Sequence, residues 1–288
     1  MARPTFSNPR AGEALGRWVL LVVFGVGGCA NFSTPPHAPR SPEAAASGAR
    51  SCFLLHEVGV GRVVREPAEG CSVRVTPAST FKIPHALAAL DAGVVRADEV
   101  FRYDGKPWQH ASYRQDQTLT SAIRHSVLWY FQELADRLGA EREIAYLETL
   151  RYGNADISSG LRSFWLYESL RISPEEQETF LLRLYGDDLP VSQSSQELVR
   201  AALVQPAGVV VNATGAHPFG QPWPEGTVVS AKTGGGAQPD LPDVRWLVGH
   251  VRRGPRAWIF VSNVVGHRLP PLAAVELAAT SLKRTGVL

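Results

Sequence analysis

Two short stretches hold side chains whose types and spacing suit acyl-transfer chemistry. In TPASTFKIPHAL, residues 76–87, Ser79 precedes Lys82 by three positions. In VVSAKTGGG, residues 228–236, Lys232 and Thr233 are followed by Gly234, Gly235 and Gly236. A serine hydroxyl is a weak nucleophile until a base takes its proton. Residues three apart on a helix are neighbours, ~5–6 Å between Cβ atoms, so Ser79 and Lys82 would face the same way. The unpaired N–H groups of a helix start suit the oxyanion that forms when a serine attacks a carbonyl. Lysine is a base only when neutral, and burial lowers its pKa. Phe81, Ile83, Ala86 and Leu87 supply the apolar surroundings. A neutral buried amine also takes up carbon dioxide as a carbamate, which presents an anionic oxygen base. Arginine cannot be deprotonated in this way, and the chain has four lysines against 25 arginines. In the second stretch, Lys232 adds positive charge, Thr233 donates to a carboxylate, and Gly234 and Gly235 permit close approach of a substrate. Taken singly, each motif also reads as ordinary structure: an N-capping serine with a surface lysine, and a lysine in a glycine turn.

The elements that must position these residues fall into three blocks. Strand patterns begin near Ser51, with CFLLHEV and SVRVT as the arms of a hairpin and GVGRVVREPAEG carrying the turn. A helix is predicted from about Thr80 to Ala92, ended by Gly93. Residues 96–190 are mainly helical in pattern. SAIRHSVLWYFQELADRLG (121–139) has apolar residues near helical spacing with Gly139 as C-cap. SPEEQETFLLRLYG (173–186) opens with Ser173 as N-cap and Pro174 at the first helical position. From 226 the pattern returns to strands: GTVVSAKTG, VRWLVGHVRR and AWIFVSNVV, the last two joined by the turn RGP. A last helix covers about Leu272 to Arg284, with Leu272, Val275, Ala279 and Leu282 on one side. Strands at both ends with helices inserted between them predict an α+β architecture. One sheet is built from both termini, an all-helical lobe stands beside it, and the site lies in the cleft between.

The 288 residues are 44% hydrophobic with a formal net charge of +2, and no basic block points to nucleic acid. Arg3, Arg10 and Arg17 precede the short apolar run WVLLVVFGVGG and then Cys29. That run is too short to span a bilayer, which takes ~20 residues, and it matches an export signal over 1–28. VGGC resembles a bacterial lipobox, in which Cys29 would be lipidated; the alternative is an ordinary signal cut nearby. Residues 29–50, rich in Pro, Ser and Ala, read as a flexible tether, leaving 51–288 as the folded domain. Export permits a disulfide between Cys52 and Cys71; two reduced, buried cysteines are the alternative. The histidines show no metal-ligand spacing, and there is no H-x-x-E-H, C-x-x-C or G-x-S-x-G.

Ser-x-x-Lys with Lys-Thr-Gly is a signature of serine β-lactamases and penicillin-binding proteins. The S-D-N element of that signature does not occur. In its place stand HSVLWYFQELADRLG with Ser126, RYGNADIS with Tyr152-Gly153-Asn154, and SFWLYESLRIS with Trp165. With PASTFKIPHAL, this ordered set resembles the class D β-lactamases over roughly residues 52–272. The resemblance implies the β-lactamase/transpeptidase-like fold, an antiparallel sheet flanked by N- and C-terminal helices plus an all-helical lobe. It implies hydrolysis of β-lactams in the bacterial periplasm, without metal or organic cofactor. Ser79 would be the nucleophile, and Lys82, carboxylated by carbon dioxide or bicarbonate, the general base for acylation and deacylation. Trp165 would donate to the carbamate, and Leu128, where the family usually has valine, would be an apolar lid over it. Ser126 would relay a proton towards the lactam nitrogen, and Lys232 and Thr233 would bind the substrate carboxylate region. The N–H groups of Ser79 and Gly235 would form the oxyanion hole. The family often carries a carboxylate-binding arginine after an LPL-like stretch. Here Leu272 stands at that place and Arg268 four residues earlier is the candidate substitute. Gly235 and Gly236, in place of an aromatic residue, suggest a roomier site. The rival readings are a β-lactam sensor that acylates without turnover and a small D-alanyl-D-alanine peptidase, with Tyr152-x-Asn154 as its Y-x-N motif.

Overall fold

The computed structural model describes residues 49–288 apart from Ala68, Glu168 and 237–239. These belong to a compact unit that runs from Ala46 to Leu288. The expected export signal at 1–28, Cys29 and the tether as far as residue 48 lie outside the described residues, as would an N-terminal helix preceding the sheet.

Five antiparallel strands form the main sheet: β1 (Arg50–Glu57), β2 (Gly61–Glu66), β5 (Thr227–Gly236), β6 (Asp243–Arg253) and β7 (Arg256–Gly266), in the order β2-β1-β7-β6-β5. Both chain ends therefore build one sheet, as expected. Its central strands are buried on both faces, which is why CFLL and WIFV read as continuous apolar runs. Leu54, Val248, Ile259 and Val261 face the helical lobe. Phe53, Leu55, Leu247, Val251 and Phe260 face α7 (Ala273–Arg284). The buried stripe of α7 runs through Val275, Ala278 and Leu282, with Ala278 more deeply placed than the expected Ala279.

The hairpin differs from its expectation. The partner of β1 is GRVVRE, inside the stretch read as a turn, and the chain reverses at 58–60. Ser72–Thr76 is not a strand; Val75 makes only an isolated bridge to Ile172. As an edge strand β2 does not need an apolar face. Its arginines reach α5 (Pro174–Tyr185) instead: Arg62 pairs with Glu178 and Arg65 with Glu175. Cys52 and Cys71 form a disulfide, Cα–Cα 5.4 Å, which ties β1 to the segment leading into the site.

The helical lobe contains α1 (Lys82–Asp91), α2 (Leu119–Arg124), α3 (Leu128–Leu138), α4 (Ala140–Leu150), α5 and α6 (Gln193–Ala202). α5 starts as its sequence predicts: Ser173 Oγ accepts from Glu176 N, and Glu176 Oε2 accepts from Ser173 N at 2.9 Å. The single helix expected over 121–139 is instead two, broken at 125–127, where Ser126 adopts φ 59°. A short β3–β4 ribbon (Val209–Asn212 and Gly215–Pro218) precedes β5. Among the described residues no helix is long and apolar enough to cross a membrane.

Candidate active site

A cavity of ≈770 Å³ opens between β5 and the helical lobe, with Ser79, Tyr113, Ser126, Thr233, Gly234, Gly235 and Arg245 among its lining. Ser79 sits on a 3₁₀ turn, Ala78–Phe81, that leads directly into α1. Ala78, just before it, has φ 47°. An L-residue in that region is strained, and such strain persists only where the surroundings over-determine it. Here they do. Thr80 Oγ1 donates to Pro77 O at 2.8 Å and accepts from Gln177 Nε2 at 2.7 Å. Thr76 Oγ1 donates to Trp165 O at 2.9 Å, and Trp246 Nε1 donates to Thr76 O at 2.9 Å.

Lys82, the first residue of α1, is 1% exposed and its Nζ lies 2.9 Å from Ser79 Oγ. Burial lowers its pKa from 10.5 to about 7, so much of the amine is neutral near neutral pH. Lys82 Nζ donates to Ser79 Oγ across that contact, and a neutral amine can equally accept the hydroxyl proton there. Lys232 on β5 is also buried, with Nζ donating to Ser126 Oγ at 3.0 Å and to Thr233 O at 2.9 Å. Burial first, and the nearby Lys82 charge second, hold its pKa well below the usual lysine value. Among the described residues neither lysine pairs with a carboxylate. Two buried amines that repel each other and have no anionic partner make a site that favours an anion.

Trp165 packs behind Lys82's helix, stacked on Phe81 at 5.3 Å between centroids. Its Nε1 is buried without a hydrogen-bond partner. A buried unpaired donor costs ~1–3 kcal/mol, so this N–H suits an acceptor brought within its reach. Leu128, the expected lid, opens α3 and is half-buried against the helical core, outside the cavity lining. Gly234 lets β5 run against the serine turn: a Cβ there would lie 3.0 Å from Pro77 O and 3.0 Å from Thr80 Cγ2. Among the described residues no cluster of three or more His, Cys, Asp or Glu could hold a metal.

Tyr152-Gly153-Asn154 takes no part in the cleft. Tyr152 is buried and accepts from Gln177 Nε2 at 3.0 Å, while Asn154 bridges the backbone of Ser169 and Arg171. The roomier site expected over the glycines is not present. A Cβ on Gly236 would lie 2.2 Å from the Tyr167 ring, and one on Gly235 would lie 3.2 Å from Arg245 Cδ. The protein's own side chains already use that space. Arg268 is exposed, with φ 56°, and lies outside the cavity lining, whereas Leu272 is part of it.

Sequence reasoning missed two features. Arg245 lines the cavity, and its signal was a charged residue inside the apolar strand VRWLVG. One turn beyond Lys82, buried His85 holds Nε2 at 3.3 Å from Glu143 Oε2 on α4. That is ion-pair distance, yet burial raises the Glu143 pKa to about 8 and lowers that of His85 to about 3, with the Lys82 charge adding to the latter, which disfavours charge on both partners.

The family "Penicillin binding protein transpeptidase domain" matches residues 63–279. "Probable beta-lactamase YbxI" of Bacillus subtilis (strain 168) is 36% identical over 215 residues, 74% of this chain and 73% of that one. "Beta-lactamase OXA-2" of Salmonella typhimurium is 44% identical over 136 residues, 47% of this chain and 50% of its own. Among solved structures, "Class D beta-lactamase BAT-2" superposes with TM-score 0.72 at 32% identity, covering 83% of this chain and 93% of that one. The C-terminal domain of the Bacillus licheniformis BlaR penicillin receptor gives 0.71 at 27% identity, covering 83% and 92%. A serine with a buried lysine at its hydroxyl, a second lysine holding a second serine, and these relatives agree: the chain belongs to the class D serine β-lactamases of the penicillin-binding protein superfamily.

Proposed function

We propose that the cleft hydrolyses β-lactam antibiotics through an acyl-enzyme at Ser79, with Lys82 as the base. The observation that carries this is Lys82: buried, 2.9 Å from Ser79 Oγ, with a pKa lowered to about 7. Lys82 removes the hydroxyl proton as Ser79 Oγ bonds to the lactam carbonyl carbon. Collapse breaks the C–N bond of the ring, and Ser126, oriented by Lys232, relays the proton taken up at Lys82 to the departing nitrogen, which leaves the base free again. A water then attacks the ester, losing its proton to the base at Lys82, which returns it to Ser79 Oγ as the ester C–O bond breaks. The N–H groups of Ser79 and Gly235 hold the oxyanion in both steps.

Uptake of carbon dioxide by Lys82 would supply an anionic oxygen base at this place. Three features support it: an amine that is substantially neutral near pH 7, an unpartnered Trp165 N–H, and a neighbouring Lys232 with neutral hydrogen-bond partners and, among the described residues, no carboxylate. Export by residues 1–28, with Cys29 lipidated, would place the enzyme in the periplasm. The arginine-led apolar run and VGGC support that reading.

The likeness to the BlaR receptor domain favours one second reading, a sensor that acylates and stalls. A chromogenic cephalosporin separates the two. Hydrolysis of many equivalents per protein supports the hydrolase; one stoichiometric burst with a stable ester on Ser79 overturns it.

A further inference from the structure

The family's carboxylate-binding arginine has no counterpart at Leu272, and Arg268 lies outside the cavity. The cavity nevertheless contains one arginine. Among the described residues that line it, Arg245 is the single lysine or arginine. It comes from β6, the strand next to β5, not from the loop before α7.

The register explains how it reaches the site. Arg245 pairs with Gly235, and Leu247 with Thr233. Alternate residues of a strand share a face, so Thr233, Gly235 and Arg245 stand on the same face, with Arg245 directly opposite Gly235 and diagonal to Thr233, ~7–8 Å away at Cα. Gly235 has no side chain to block the arginine. A Cβ there would lie 3.2 Å from Arg245 Cδ and 3.8 Å from Nη1. The guanidinium therefore lies across β5 at the cavity edge. It is also fixed in orientation: Nη1 donates to Gly236 O at 2.6 Å and to Val244 O at 3.1 Å, and Nη2 to Leu269 O at 3.4 Å. Those acceptors are neutral. The carboxylate that pairs with it, Asp243, stands at 3.6 Å and itself accepts from Leu269 N at 2.7 Å.

We propose that Arg245, with the Thr233 hydroxyl, binds the ring carboxylate of the β-lactam, taking over from β6 the task that a loop arginine would perform. The proposal rests on the reading of the cleft as a β-lactam site. Penicillins and cephalosporins carry this carboxylate beside the lactam nitrogen, on the side away from the scissile carbonyl. A cation held by backbone carbonyls is pre-organised for it, and a guanidinium fork matches a carboxylate. The KTGGG glycines then serve to seat an arginine, not to admit a larger substrate side chain.

The test compares a penicillin with its methyl ester, which lacks the negative charge. Second-order rate constants for acylation of Ser79 are measured by mass spectrometry alongside kcat and KM. Arg245→Ala should lower the acylation constant for the penicillin about 10- to 100-fold, chiefly through KM, and change that for the ester less than about threefold. Arg245→Lys should recover part of the loss, and Leu272→Arg in the Arg245→Ala background should restore preference for the acid over the ester. Equal losses on acid and ester would assign Arg245 a structural role and overturn the proposal. So would a selective loss in Arg268→Ala with none in Arg245→Ala. Penicillin that acylates Ser79 without turnover would refute hydrolysis while leaving this comparison intact. Failure of penicillin to acylate wild-type Ser79 would refute the proposal and the reading beneath it together.

Discussion

Lys82 is where function and stability conflict most directly. Burial lowers its pKa from 10.5 to about 7, so the unfolded chain binds more protons than the native one between those values. Native stability from this group is therefore least below pH 7 and increases as pH rises towards 10.5. Removing the amine should relieve that cost. Lys82→Met is expected to be about 2–4 kcal/mol more stable at pH 7 in denaturant unfolding. It should also lose about 10²- to 10⁴-fold in hydrolysis. A variant that is both less stable and nearly fully active would show that Lys82 is a packing residue. The stability–activity opposition separates a base from a core lysine, which a rate measurement alone would not do.

At the scale of elements, two backbone features hold the chemistry in place. The first is the break at 125–127, which turns what reads as one helix into α2 and α3 and puts Ser126 at the cleft with φ 59°. Tyr113 Oη donates to Ser126 O at 2.6 Å, and Lys232 Nζ donates to its Oγ. These tertiary bonds outweigh helical continuity across 121–139. The second is the approach of β5 to the serine turn at Gly234. Gly234→Ala must move β5 or the turn by a few tenths of an ångström, because Pro77 O and Thr80 N are backbone atoms. It should cost about 1–3 kcal/mol in stability and reduce kcat/KM about 10- to 100-fold. Wild-type kcat/KM in this variant would mean that the spacing between β5 and Ser79 is not critical. The missed strand β2 belongs to the same scale. Its arginines find Glu175 and Glu178 more than 100 residues away, a pairing that no local pattern expresses.

For the whole molecule, buried titratable groups with opposite shifts set the response to pH. Glu143 is raised from 4.5 to about 8, so the native state holds a proton that the unfolded chain has released. The stability it contributes is full below pH 4.5 and is lost as pH rises through about 8. Lys82 and Lys232 act in the other direction. Glu143→Gln should remove only the first slope. The stability of the variant relative to wild type should then rise steadily from pH 4.5 to 8, by at most about 5 kcal/mol. Parallel stability curves would show that Glu143 is not protonated in the fold. Activity should follow Lys82 instead, falling as pH drops below about 7, with added bicarbonate restoring rate after a return from low pH. An acid limb unaffected by bicarbonate would count against carbamylation.

The sequence by itself pointed to Ser79, Lys82, Lys232 and Thr233 through two local motifs, and to Ser126 and Trp165 through the resemblance that the ordered motifs carry. It also determined the strands of the C-terminal half and the cap of α5, where period and capping residues act over a few positions. It left Cys52 and Cys71 open, since pairing geometry is a property of space. Only the tertiary structure decided which arginine lines the cleft. Arg245 and Arg268 are both single arginines in short strand-and-turn contexts. Cross-strand register brings the first over Gly235 and leaves the second in solvent. Likewise, Gly235 and Gly236 read as open space until Arg245 and Tyr167 are seen to occupy it. A glycine shows that a side chain is absent, and only the fold shows what takes its place.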